Sequence, residues 1–84
     1  MINKIAVIGA GVIGSGWVVR FLAHNKKVIV YDTDPKLRKK VLLEVKRAWP
    51  FVKKLFNKNK LNLKNFSYVT DIKNALKNAD FIQE

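Results

Sequence analysis

Short apolar runs alternate with helical patterns along this chain. The aliphatic run at residues 5–8 is typical of a strand that is buried on both faces of a sheet, and residues 28–31 form the next predicted strand. Between them, over residues 12–24, apolar side chains recur at intervals of four, which predicts a helix. Asn25 follows where helices often end on a left-handed residue, a conformation that Asn tolerates well. This order predicts two neighbouring strands of a parallel sheet with a helix between them.

A longer helix is predicted after the second strand. Asp34 supplies an oxygen acceptor at the N-cap, and Pro35 needs no amide partner in the first turn. Most of the cationic residues of this helix lie off a single apolar stripe. The stripe consists of Leu37, Val41, Val45, Ala48 and Val52. Pro50 should kink or restart the helix, because it removes one amide donor and crowds the preceding turn.

The last third of the chain continues the alternation of strands and helices. The pattern predicts a polar connection over residues 57–65 and a strand over residues 66–70. It then predicts a short helix over residues 71–79, opened by Thr70 or Asp71, and a further strand over residues 80–84. The whole pattern predicts an α/β fold of the Rossmann type, a doubly wound parallel sheet truncated after about four strands. In the usual strand order of such sheets, the strand at Phe81 lies beside the first strand.

Composition limits the classes of site that the chain can carry. Its 84 residues make one small domain or part of one, and it contains no Cys and a single His, His24. We therefore predict no disulfide and no metal site. The absence of Cys fits a reducing compartment, and we expect the protein to be cytoplasmic.

The net charge of +11, from 17 Lys and Arg against 6 Asp and Glu, suggests an acidic partner at first sight. The cations lie along one helical region and do not alternate with exposed aromatic residues, so we predict no binding to nucleic acid. The apolar N-terminal segment is interrupted by glycines, and Arg20 and His24 close it well short of the roughly 20 residues that span a bilayer. We therefore predict no membrane segment, no membrane partner and no cleaved leader.

All four glycines lie within the eight residues 9–16. Gly9, Gly11 and Gly14 form the pattern G-x-G-x-x-G directly after a predicted strand, and Asp32 ends the next strand 18 residues beyond Gly14. This combination predicts a dinucleotide-binding loop, which also includes Ala10, Val12 and Ile13. We expect Gly9 to permit the tight turn, Gly11 to let the backbone approach a pyrophosphate, and Gly14 to allow close packing of the helix. Asp32 should accept hydrogen bonds from the adenosine ribose and repel the extra phosphate of NADP, which predicts NAD as the cofactor.

Other interpretations explain fewer of these residues. A nucleoside triphosphate loop needs a Lys after the last glycine, and a nucleophile elbow needs glycines two residues away on either side of Ser15; neither is present. Tight packing alone accounts for Gly14 and leaves Asp32 unexplained. An alternative of another class is a non-catalytic basic module, in which the helix over residues 36–56 binds an anionic surface. Packing of that helix on the sheet explains its apolar spacing equally well.

The stretch "KIAVIGAGVIGSGWVVRFLAHNKKVIVYD", together with "RAWP" and "ADFIQE", resembles the start of the 3-hydroxyacyl-CoA dehydrogenase family, most closely its L-carnitine dehydrogenase branch. The resemblance covers essentially the whole chain. Two departures are Asn25, where the family usually has Gly, and the Lys-rich helix after Asp34.

The resemblance implies that residues 1–84 are the N-terminal portion of a dinucleotide-binding domain of a longer enzyme. In the family, the catalytic His and its Glu partner, and a helical second domain with much of the dimer interface, lie beyond the equivalent of Glu84. We therefore expect no catalytic residue in this chain, a homodimer for the full-length enzyme, and His24 as a helix-end residue. The implied reaction is NAD-dependent oxidation of a small 3-hydroxy acid. L-Carnitine, giving 3-dehydrocarnitine, is the favoured substrate, with 3-hydroxyacyl-CoA or L-gulonate as alternatives.

Overall fold

Parallel strands form a single sheet in this computed structural model, which describes residues 2–58 and 60–84. The strands are β1 (Lys4–Ile8), β2 (Lys27–Tyr31), β3 (Phe66–Val69) and β4 (Phe81–Gln83), in the order β3-β2-β1-β4. The predicted place of β4 beside β1 is confirmed: Ile5 pairs with Phe81 on one side and with Val28 on the other. Successive strands run outward from β1 through β2 to β3, and the chain then crosses to β4 on the other side of β1. The carboxyl end of β1 is therefore a topological switch point, where open α/β sheets bind their ligands.

Three α-helices connect the strands within the described residues: α1 (Val12–Ala23), α2 (Leu37–Leu55) and α3 (Ile72–Leu76). A short 3₁₀ helix, Leu63–Asn65, lies in the connection before β3, within which Asn59 is outside the described residues. Asn25 has a φ of 60° just after α1, which confirms the left-handed ending. α3 begins after Asp71, whose side chain accepts the N–H of Lys73 at 2.9 Å. No helix in these two ranges is both long and apolar enough to cross a membrane.

The start of α2 differs from the prediction. Asp34 does accept the N–H of Lys36 at 2.9 Å, but residues 35–36 form a turn and the regular helix begins only at Leu37. The N–H of Leu37 bonds to the carbonyl of Asp34, an i to i−3 contact of 3.3 Å. Asp34 therefore caps a tight turn that leads into the helix, because its side chain competes for the nearest free amide.

Of the two predicted effects of Pro50, the restart does not occur, because α2 runs through Pro50 as one helix, and the kink stays a prediction. The amide that Pro50 lacks would have bonded to the carbonyl of Lys46. Pro50 and Lys46 are both exposed, so water can satisfy that carbonyl. The cost of the proline is thus low enough for the apolar contacts on either side to keep the helix continuous.

The apolar stripe of α2 is buried as predicted, and the helix also contacts α1. Val41, Val45 and Val52 are buried, and Leu37 and Ala48 are half-buried. These residues join one core with strand and α1 residues. Its fully enclosed members include Val7, Val18, Val19, Val28 and Val30. The stripe of α2 is therefore part of the core that α1 and the strands share.

Asp80 ties the start of β4 to the start of β1. Its carboxylate accepts the N–H groups of Asn3 and Lys4 at 2.9 and 3.0 Å, and its own N–H donates to the carbonyl of Lys4. The hydrogen bond from the N–H of Asn3 is the larger cause, and that from Lys4 the next, of a pKa of Asp80 below its ordinary value. This contact sets the register in which β4 joins the sheet.

Candidate dinucleotide-binding site

The turn after β1 depends on Gly9. Its φ of +101° lies in the region that only glycine adopts without strain. Its N–H donates to the carbonyl of Tyr31 at 2.8 Å, so the ladder between β1 and β2 continues to this residue before the chain bends away. The predicted role of Gly9, to permit the tight turn, is the one that its backbone geometry requires.

Gly14 is the point of closest approach between α1 and the turn. A Cβ atom at Gly14 would overlap the carbonyl oxygen of Gly9 and would lie 3.6 Å from Cγ1 of Val7. Gly16 lies on the same helix, and a Cβ atom there would meet nothing within 4 Å. Close packing therefore requires glycine at position 14 and not at position 16.

Gly11 is a glycine for a different reason. Its φ of −75° suits any residue, and a Cβ atom there would point into open space. That space lies at the N-terminus of α1, where Gly11 provides no side-chain cap and the first turn carries no acidic residue. Unpaired amides at a helix N-terminus bind anions, so the space fits a phosphate group.

Ser15 is buried and stabilises the glycine loop through hydrogen bonds to its backbone. Its hydroxyl donates to the carbonyl of Gly11 at 3.1 Å, and its N–H donates to the same carbonyl at 3.0 Å. Ser15 thus stabilises the first turn of α1. A buried hydroxyl that is bonded to the backbone is not placed to act as a nucleophile, consistent with the motif-based exclusion.

Asp32 lies at the end of β2, beside the glycine loop. Its Oδ2 accepts the N–H of Ala10 at 3.1 Å, and its Oδ1 accepts the N–H of Asp34 at 3.3 Å and the hydroxyl of Thr33 at 3.4 Å. The bond from Ala10 is the main cause of a lowered pKa, so Asp32 is a carboxylate at neutral pH. A carboxylate has about four lone-pair positions, and those left free can accept ribose hydroxyls.

Tyr68 is a site residue that the sequence pattern missed. It lies on β3, and its hydroxyl donates to the carbonyl of Asp34 at 2.6 Å, which fixes the loop that follows Asp32. Burial, and then the charges of Asp32 and Asp34, raise the pKa of Tyr68. The alternation of "FSYVT" places Phe66 and Tyr68 on one face, and a Tyr near the carboxyl end of a strand was the available clue.

The structure brings Gly9, Ala10, Gly11, Gly14 and Asp32 together at the carboxyl edge of β1 and β2. The side chains of two further predicted residues, Val12 and Ile13, lie outside the description. His24 is elsewhere, at the C-terminal end of α1. It is exposed, and its ring lies edge-on to Phe56 with centroids 4.7 Å apart.

Residues 4–84 match the family model of the 3-hydroxyacyl-CoA dehydrogenase NAD-binding domain. The chain belongs to the 3-hydroxyacyl-CoA dehydrogenase family. The resemblance and the cofactor inferred from the sequence are thereby confirmed, since the domain of this family binds NAD. The open space at Gly11, the uncapped helix N-terminus and the carboxylate of Asp32 fit this cofactor, which accepts a hydride on its nicotinamide ring when bound.

Two curated relatives are similar to this chain over nearly its whole length. The chain is 38% identical over 81 residues to an L-carnitine dehydrogenase of Staphylococcus epidermidis, covering 96% of this chain and 25% of the relative. It is 39% identical over 82 residues to one of Oceanobacillus iheyensis, covering 98% of this chain and 27% of the relative. The chain thus spans about a quarter of the length of these relatives.

A solved structure of similar fold is that of 5-formyl-3-hydroxy-2-methylpyridine 4-carboxylic acid 5-dehydrogenase, an NAD+-dependent dismutase. Its TM-score is 0.78 at 25% identity, and the match covers 98% of this chain and 27% of that one. The predicted Rossmann-type α/β fold is confirmed by this likeness and by the strand order.

Proposed function

We propose that this chain holds the adenosine diphosphate half of NAD at the carboxyl edge of its sheet. The binding residues are Gly9, Ala10, Gly11, Val12, Ile13, Gly14 and Asp32. The observation that supports this most directly is the open space at Gly11, which lies at the uncapped N-terminus of α1. The pyrophosphate occupies that space and accepts hydrogen bonds from the free amides, while the ribose hydroxyls donate hydrogen bonds to Asp32.

We further propose that residues 1–84 are the N-terminal portion of the dinucleotide-binding domain of a cytoplasmic, homodimeric enzyme. The enzyme transfers a hydride from the 3-hydroxyl carbon of a small 3-hydroxy acid to NAD. L-Carnitine, oxidised to 3-dehydrocarnitine, is the favoured substrate, because relatives of that name share 38% and 39% identity with nearly the whole chain. The alternatives are a 3-hydroxyacyl-CoA and L-gulonate. We assign no catalytic residue to these 84 residues, and the rest of the enzyme supplies them.

The cofactor site is tested by titrating the full-length protein with NAD in a calorimeter. Gly11→Val adds a branched side chain where the backbone geometry permits one and where no protein atom lies within 4 Å. We expect this variant to fold and to lose at least about tenfold in NAD affinity, since the side chain occupies the space for the pyrophosphate. Gly16→Ala, on the same helix, is the control and should bind NAD normally. Unchanged affinity in Gly11→Val would show that the pyrophosphate lies elsewhere.

The substrate is tested separately, by the formation of NADH from NAD with each candidate. L-Carnitine, a 3-hydroxybutyryl thioester of coenzyme A and L-gulonate are compared by kcat/KM. We expect L-carnitine to give the highest value. A higher value with either alternative would reassign the substrate and would leave the NAD site untouched.

A further inference from the structure

Large apolar side chains of α2 outside the stripe that packs on α1 are exposed, and no packing in the described residues explains them. Leu43, Phe51 and Leu55 are 61%, 76% and 72% exposed, more than any other large hydrophobic residue that the structure describes. With Arg47 they recur every four residues, so they follow one ridge of the helix. The stripe that packs on α1 is a different set of residues.

The exposed surface of α2 is strongly cationic. The helix contains seven basic residues and one acidic residue, Glu44. The basic residues, all exposed, are Arg38, Lys39, Lys40, Lys46, Arg47, Lys53 and Lys54. Glu44 forms an ion pair with Arg47 at 3.3 Å, so the one negative charge of the helix is neutralised locally.

We propose that an outer face of α2 docks on an anionic lipid bilayer, which departs from our sequence-based prediction of no membrane partner. We define the outer face as Lys39, Leu43, Lys46, Arg47, Phe51, Lys54 and Leu55. Its cations attract lipid phosphates, and its apolar ridge enters the boundary between headgroups and acyl chains. The charge of the helix and the charge of such a membrane are complementary. This function is additional to NAD binding, because the outer face shares no residue with the proposed cofactor site.

The composition of the outer face favours a bilayer over nucleic acid. Leu43 and Leu55 are aliphatic and cannot stack on bases, and Phe51 is the one aromatic residue on the ridge. Contacts to a phosphate backbone would use only the lysines and Arg47 and would leave the exposed apolar side chains in water. A bilayer surface offers both phosphate groups and an apolar layer, which matches both parts of the outer face.

The apolar ridge is tested by sedimentation of the full-length protein with vesicles. The vesicles are phosphatidylcholine alone, or phosphatidylcholine and phosphatidylglycerol in equal parts. We expect binding to the anionic vesicles only, and a loss of about tenfold or more in the triple variant Leu43→Gln, Phe51→Gln, Leu55→Gln. The control is Ile72→Gln, Leu76→Gln, which removes exposed apolar residues of α3 and should bind as the parent does. No binding of the parent protein to anionic vesicles would overturn the proposal.

Charge is tested with two variants of equal net charge. The first changes Lys39, Lys46 and Lys54 to Gln, and the second changes Lys60, Lys64 and Lys73 to Gln. All six lysines are exposed. We expect the first variant to lose vesicle binding and the second to retain it. Equal loss in both, or tighter binding of the parent to double-stranded DNA than to anionic vesicles at the same salt concentration, would contradict docking through this face.

Circular dichroism of each variant, with its NAD affinity, shows that the fold and the cofactor site are intact. Because the NAD site lies elsewhere, NAD affinity should be the same in all of them. If the parent protein binds NAD normally and does not bind anionic vesicles, only the docking surface is overturned. Failure of the Gly11→Val experiment would overturn the cofactor site alone.

Discussion

The carboxylate of Asp32 accepts the backbone N–H of Ala10 at 3.1 Å, so the end of β2 holds the glycine loop that follows β1. The residue that we assign to the ribose therefore also shapes the loop that we assign to the pyrophosphate. These two roles use different properties of Asp32. Discrimination against NADP at the ribose depends on the negative charge of Asp32. The bond to the loop depends on an acceptor atom at the right place.

Two substitutions separate these roles. Asp32→Asn removes the charge and keeps one of the two acceptor oxygens, so we expect a reduced preference for NAD over NADP and a smaller loss of stability than in Asp32→Ala. Asp32→Ala removes both, and we expect it also to lower the free energy of unfolding by about 1 kcal/mol. Titration with each cofactor and urea unfolding give the two readouts. Equal affinity of the parent protein for NADP and NAD would contradict the role of the charge.

The contact between Gly14 and Gly9 predicts a stability effect with an internal control. In Gly14→Ala the new methyl group meets the carbonyl oxygen of Gly9, a backbone atom that cannot move freely. We expect the free energy of unfolding to fall by about 1–3 kcal/mol. Gly16→Ala adds the same methyl group to open space on the same helix, and we expect a gain of about 0.5–1 kcal/mol. Urea denaturation of both variants checks this, and a similar effect in both would show that the close contact does not matter.

Asp80 predicts acid sensitivity. Its pKa in the folded protein lies below the ordinary value of 3.8, because it accepts the N–H groups of Asn3 and Lys4. A lowered pKa means that the carboxylate stabilises the folded state above its unfolded pKa, and that this contribution disappears as the pH falls through the folded pKa. The melting temperature of Asp80→Asn should therefore fall less than that of the parent on acidification. The control is Glu84→Gln, and a pH profile of Asp80→Asn parallel to that of the parent would contradict the assignment.

Tyr68 predicts the opposite dependence at alkaline pH. Its pKa is raised by burial and by the nearby charges of Asp32 and Asp34. The neutral phenol therefore stabilises the folded state below its unfolded pKa, and the contribution is lost as the pH rises through the folded pKa. Tyr68→Phe removes the 2.6 Å bond to the carbonyl of Asp34, and we expect it to cost about 0.5–1.5 kcal/mol at neutral pH. Chemical unfolding at neutral pH measures this cost, and we expect the difference between the parent and Tyr68→Phe to shrink at alkaline pH. A difference that does not change with pH would contradict the role of the phenol.

The sequence by itself determined the elements and the glycine loop. The periodicity of apolar residues is a local property, so it located β1, α1 and β2 to within about a residue, and the left-handed Asn25 with them. The roles of Gly9 and Gly14 were also predictable, because each follows from backbone geometry within a few residues of the strand end. The family and the cofactor followed from the spacing of these glycines to Asp32 and from the longer resemblance.

Only the tertiary structure decided how these parts contact one another. It showed that α2 packs on α1, that the helix passes through Pro50, and that the regular helix begins at Leu37 and not beside Asp34. It also revealed the bond of Asp32 to Ala10 and that of Tyr68 to Asp34, which join residues 22 and 34 positions apart. Such pairs arise from the register of the strands and the stacking of the helices. Those relations depend on the whole chain folding at once, and patterns a few residues long carry no record of them.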